Sequence, residues 1–244
     1  MIQPQHKNQT MLKNNKLLPA SLVLFSLLVS TAALAANAHA ASPTPATQPS
    51  PDKISGDELK SRIGPGDPIA GKDKAAMCSG CHGEDGNSAD PQTPKLAGQY
   101  GDYITKQMRN YLASTRSHQT MSGMAASVSD ADLADISAYF ASQPMMKGTS
   151  PSNNKLGKKL FESDDLQNMR VRCTNCHGTT GKGMTPGNPL YPVIGGQHKD
   201  YLLTQLKSFK KGIRNNSHGG IMNITVQRLS DAELEAMANY ISGL

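Results

Sequence analysis

The chain has 244 residues, 37% of them hydrophobic, with no tryptophan and only 5% aromatic residues. Aromatic side chains ordinarily supply much of a core's buried area, so this composition is thin for a length that suits two domains. The formal charge is +6, but residues 1–40 carry three lysines and no acid. The remainder, 22 basic against 19 acidic residues, is nearly balanced and gives no case for a nucleic-acid partner.

In chain order, residues 1–40 read as an export signal. Lys13 and Lys16 form a positive start, residues 17–35 are apolar, and Ala38-His39-Ala40 offers small residues for cleavage. Met11 is an alternative start that gives a signal of ordinary length. Residues 17–36 are also just long enough to span a bilayer, so an uncleaved anchor is the alternative; Pro19 and the alanine-rich end favour cleavage. Residues 41–66 follow as a proline-rich spacer and N-terminal extension, with four prolines and no apolar periodicity over residues 41–52.

Two short stretches organise what remains: Cys78-Ser79-Gly80-Cys81-His82 and Cys173-Thr174-Asn175-Cys176-His177. Each is C-x-x-C-H, the pattern of c-type haem attachment. Two thiols one helical turn apart can each form a thioether to a haem vinyl group, and the adjacent histidine is then aimed at the iron. The motifs use all four cysteines of the chain. A thioredoxin-like pair would sit among strands and a ribbon-type zinc site would bring its pairs closer together. Neither explains the histidine that follows both times. Two covalently bound haem c groups would give each half an apolar plate to pack against, which answers the thin core. Their four propionates bring the charge close to neutral.

The repeat extends well beyond these motifs. Pro94-Lys95-Leu96-Ala97-Gly98-Gln99 matches Pro192-Val193-Ile194-Gly195-Gly196-Gln197; Tyr103, Gln107, Arg116 and Ser129-Asp130 match Tyr201, Gln205, Arg214 and Ser230-Asp231. A duplicated domain follows, each copy of a size that can fold alone: residues 67–143, a linker at 144–154, and residues 155–244. Tyr103, Ile104, Met108, Tyr111 and Leu112 recur at helical spacing, as do Tyr201, Leu202, Leu206 and Phe209. Ser129 and Ser230 read as N-caps of closing helices, the second with a full capping box to Glu233, and Gln143-Pro144 stops the first. Nothing alternates like a strand, so the fold is expected to be all-α. Residues 41–150 are net −2 and residues 151–244 net +5, an asymmetry able to orient the protein on charged redox partners.

A haem iron bound by one histidine has a sixth position still to fill. Met121 and Met222 each lie eight residues before the capping serine, in what reads as a loop, and a thioether there raises the potential. His118 and His218 are the rivals, but their registers differ between copies. Met124 and Met237 read as packing, Met145 and Met146 as filling between the domains, and Met184 has no match in the first copy. Pro94 and Pro192 are the candidate carbonyl acceptors for the imidazoles of His82 and His177, with Pro189 a competitor for the second. Arg116 and Arg214 suggest a structural or propionate-pairing role.

Taken together, the duplicated C-x-x-C-H, the P-K-L-A-G-Q and P-V-I-G-G-Q segments and the methionine before Ser-Asp resemble the di-haem cytochrome c4 family over residues 68–244. The resemblance implies two class I cytochrome c domains about a pseudo-twofold axis, with their haems near the interface. It implies a periplasmic carrier, often membrane-associated, that passes electrons to a terminal oxidase. On it, His82 and Met121 ligate the first iron and His177 and Met222 the second. The expected function is respiratory electron transfer between a membrane donor and a terminal oxidase or reductase. The alternative is a di-haem oxidoreductase of the thiosulfate-oxidising or peroxide-reducing type. Gly71 looks like the small residue that lets the closing helix cross near Tyr139, with Gly157 its counterpart; residues 162–169 are an insertion in the second copy.

Overall fold

Helices are formed where caps and small residues permit them. The computed structural model describes residues 55–149, 151–184 and 187–244. The export signal, the anchor alternative and the spacer at residues 41–52 lie outside these. Among the described residues no helix is long and apolar enough to cross a membrane.

The first half contains α1 (Gly56–Ile63), α2 (Pro68–Lys74), α3 (Ala76–His82), α4 (Gly101–Leu112), α5 (Gln119–Ala126) and α6 (Asp130–Ser142). The second contains α7 (Lys155–Glu162), α8 (Thr174–His177), α9 (Lys199–Lys210), α10 (Ile221–Val226) and α11 (Asp231–Ser242). Leaving α1 aside, the order α2 to α6 is repeated by α7 to α11. The strand-like pairing among the described residues is a single bridge between Asp165 and Arg170, and the fold is all-α.

In each half the first helix of the repeat crosses the last. Glycine permits the close crossing, because a Cβ on Gly71 would lie 2.0 Å from the Asp135 carbonyl oxygen and one on Gly157 2.1 Å from that of Ala236. Tyr139 and Tyr240 flank the two contacts. Ser129 Oγ accepts the Asp132 N–H at 3.1 Å, and Ser230 and Glu233 complete a reciprocal capping box. The first core is small (Ala75, Ile104, Ile136 and Phe140); the second is larger, built on Leu160, Phe161, Leu206, Phe209, Leu234 and Met237. Met146 is fully buried between Tyr100 of the first half and Val193 of the second, as its place in the linker suggests.

One expectation is corrected on α4, and two segments gain a definite structure. Leu112 is 60% exposed, and the buried face of α4 runs through Ile104, Gln107 and Tyr111 instead. Beyond the spacer, α1 in the N-terminal extension packs on α4 and α6. Its sequence is too polar to announce a buried face: Ser55 caps it, and Arg62 anchors it with only 2% of its surface exposed. That guanidinium lies 4.6 Å over the Tyr100 ring and donates to the Gly98 carbonyl at 2.9 Å. The insertion at residues 162–169 takes a definite path. A 3₁₀ turn at Leu166–Asn168 and a left-handed Met169 return the chain to Arg170, whose buried side chain donates to the carbonyls of Leu160 and Ser163 at 2.7 and 2.6 Å.

Lys74 ties α2 to α6 through Asp135 at 2.6 Å and Asp132 at 2.8 Å. Hydrogen bonds to Lys74 hold both carboxyls below the usual range. A carboxyl lowered in the folded state contributes stability that is present above its unfolded value, about 3.9, and lost as pH falls through the folded one. The part of the thermal midpoint that depends on Lys74 should therefore be level from about pH 7 to 5 and fall below about pH 4. The acid limb should be shallower in Lys74→Met, as followed by melting across pH.

Candidate haem sites

α3 and α8 place the two motifs on single helical turns, with Cys78 and Cys81 a turn apart in one and Cys173 and Cys176 in the other. All four thiols are free. Burial pushes Cys173 up to about 12 and raises Cys78 and Cys176 as well. A redox-active pair works through a lowered thiol, the opposite of what burial does to Cys78, Cys173 and Cys176.

His82 and His177 end these turns, each only 6% exposed. Nδ1 of His82 donates to the Pro94 carbonyl at 2.8 Å, and Nδ1 of His177 to the Pro192 carbonyl at 2.8 Å. Burial lowers both imidazoles, with the carbonyl bond opposing. Each ring is thus neutral with its proton on Nδ1, leaving the Nε2 lone pair for a metal. Matching pins hold the acceptors. Leu96 and Ala97 both donate to the Gly86 carbonyl at 2.7 and 3.1 Å, and Ile194 and Gly195 to that of Gly181 at 2.8 Å each. Pro192, not Pro189, meets the second imidazole.

Met121 and Met222 lie on α5 and α10 rather than in loops, both half-buried. The helices escaped the sequence because neither starts on a serine or aspartate. His118 caps α5 by accepting the Met121 N–H at 3.3 Å, and two left-handed glycines, Gly219 and Gly220, lead into α10. The rivals His118 and His218 are both exposed.

Arg116 and Arg214 are buried where the halves meet, and their partners are exchanged across the boundary. Arg116 donates to Gln107 at 2.7 Å, Gln205 at 3.0 Å and the Tyr201 hydroxyl at 3.1 Å. Arg214 donates to Gln205 at 2.8 Å, Gln107 at 3.3 Å and the Tyr103 hydroxyl at 3.0 Å. These partners are all neutral, whereas a buried guanidinium calls for an anion. Haem propionates are carboxylates of the required charge, and with the free thiols and the pinned imidazoles the residues fit the group.

The cytochrome c family model matches the chain twice, over residues 69–144 and 155–244. Cytochrome c4 of Azotobacter vinelandii is 41% identical over 190 residues, which cover 73% of this chain and 90% of that protein. The crystal structure of reduced recombinant cytochrome c4 from Pseudomonas stutzeri superposes with a TM-score of 0.68 at 40% identity, covering 74% of this chain and all of that one. The chain belongs to the di-haem cytochrome c4 family. Like its relatives it is an electron carrier with two covalently bound haem c groups, at Cys78/Cys81 and Cys173/Cys176. A more distant relative, at 28% identity over 187 residues, is a thiosulfate dehydrogenase electron acceptor of Thiomonas intermedia, covering 73% of this chain and 83% of that protein.

Reading the sequence missed the work of four glutamines and of Arg62. Gln99 with Gln197 and Gln107 with Gln205 stood out as matched pairs in the repeat, and that match was the available signal.

Proposed function

We propose that this member of the c4 family is a periplasmic respiratory carrier and not an enzyme. It takes single electrons from a membrane donor and passes them to a terminal oxidase or reductase. Residues 1–40 direct export, residues 67–143 and 155–244 hold one haem each, and residues 144–154 join them. His82 and Met121 ligate the first iron, His177 and Met222 the second, with Pro94 and Pro192 orienting the imidazoles.

The observation that carries this reading is the pair of buried imidazoles, each tied by Nδ1 to a carbonyl at 2.8 Å and so fixed in the ligating tautomer. The methionines are supported by their equivalent places on α5 and α10 and by the exposure of both rival histidines. The haem iron supplies the one-electron couple. The chain holds nitrogen and sulfur in place, and its cysteine links keep each group bound in both oxidation states. Held by a histidine and a methionine, each iron would offer no position to a substrate, and the group would supply electron transfer without a bond made or broken. The distant relative described as an acceptor for thiosulfate dehydrogenase is itself a carrier by that description, which favours the same role. The positive second half favours docking on an acidic partner or on the membrane surface near the donor.

In the purified ferric protein the weak red thioether-to-iron band should have the intensity of two haems, and the ferrous form should resist carbon monoxide. Rapid carbon monoxide binding at either haem would replace this reading with a di-haem oxidoreductase.

A further inference from the structure

Gln99 and Gln197 end the matched segments that carry Pro94 and Pro192, and they are 5% and 4% exposed. Each reaches into the opposite half. Gln197 accepts the Lys95 N–H through Oε1 at 2.9 Å and donates through Nε2 to the Lys95 carbonyl at 2.9 Å. Gln99 does the same to Val193, accepting its N–H at 2.9 Å and donating to its carbonyl at 2.9 Å. Each Oε1 also accepts the N–H of the following residue, His198 at 3.0 Å and Tyr100 at 3.1 Å, so both lone pairs are engaged.

The Lys95 N–H belongs to the same peptide group as the Pro94 carbonyl, which accepts from His82 Nδ1. The Val193 N–H likewise shares a peptide with the Pro192 carbonyl, which accepts from His177 Nδ1. In a trans peptide these two groups point in opposite directions and are joined by resonance. An unbroken line therefore runs from each imidazole, through one peptide, to a carboxamide of the other half. An acceptor on the N–H pushes electron density onto the carbonyl oxygen, which then binds the imidazole proton more strongly. The ring becomes a better donor at Nε2.

We infer that Gln99 and Gln197 are positioning residues that set the reduction potential of the haem in the opposite half, Gln197 through His82 and Gln99 through His177. This rests on the two histidines being iron ligands, as proposed above. A stronger imidazole donor favours ferric iron, so each glutamine lowers the potential of the distant haem.

Gln197→Met and Gln99→Met keep the side-chain length and remove the acceptor. In a potentiometric titration of the holoprotein, with the haems resolved by their NMR methyl signals, Gln197→Met should raise the potential of the first haem and Gln99→Met that of the second. The reduction equilibrium should change by about threefold to tenfold, tenfold being about 59 mV for one electron. An unmoved opposite haem, or a shift confined to the substituted half's own haem, overturns the inference. The low-spin absorbance spectrum reports the axial ligands separately: if it is intact while the potentials stand still, the relay fails and the ligand assignment survives. A wild-type protein lacking an imidazole-ligated spectrum would sink the assignment itself. The wild-type protein gives a second readout that needs no variant to fold. Linkage makes a bond that favours ferric iron harder to open in the ferric state by the same factor. Lys95 and Val193 amides should exchange about threefold to tenfold more slowly in ferric than in ferrous protein, and equal rates overturn the inference.

Discussion

Met121→Ala should remove the sulfur from the first haem iron and leave its covalent links untouched. A thioether is a soft ligand that favours ferrous iron, so the potential of that haem should fall by a sizeable part of the roughly 0.8 V that axial ligation spans. The red band should drop to half its intensity, and the ferrous protein should take up one carbon monoxide per chain. Met222→Ala should do the same at the second haem. The two variants should differ in stability. Met222 packs against the larger core, so its truncation should cost about 2 kcal/mol, the low end for a methionine cut back to alanine, in urea titrations of the holoprotein. A full red band in either variant would reassign that ligand.

Gly71→Ala and Gly157→Ala should both be strongly destabilising. The added methyl meets backbone carbonyls at 2.0 and 2.1 Å, and a carbonyl inside a helix cannot swing away as a flexible side chain could. The crossing helices must separate, which should cost about 3 kcal/mol or more. The first case reaches the haem directly, because α2 runs on into α3, where Cys78, Cys81 and His82 are carried. Gly123→Ala is the control. Its Cβ would meet nothing within 4 Å in the middle of α5, so the protein should gain about 0.4–1 kcal/mol. Chemical denaturation midpoints of the three variants check the order, and equal midpoints would mean that close helix approach does not govern stability here.

What could be read from the sequence was whatever depended on spacing along one segment. The C-x-x-C-H turns, the capping serines and the stop at Gln143-Pro144 are all of this kind, whereas the close crossings at Gly71 and Gly157 came from the family resemblance. What could not be read depended on groups distant in sequence or on unusual chemistry. Gln107 turns inward in place of Leu112 because its partners, Arg116 and Arg214, gather at a boundary that periodicity does not see. Helix α1 is anchored by a cation on an aromatic ring instead of an apolar stripe. The α5 helix starts on a histidine, and residues 162–169 fold back on a buried arginine. Gln197 meets Lys95 across 102 positions, which no local pattern announces.

The exchange of partners between Tyr103, Gln107 and Arg116 on one side and Tyr201, Gln205 and Arg214 on the other has a genealogical consequence. Each half carries both the offered groups and the groups that receive them, which is the property of an isologous surface. A single ancestral half would have possessed everything needed to pair with its own twin before any fusion of genes. Joining the two halves by the linker makes such a contact permanent and free of dependence on concentration.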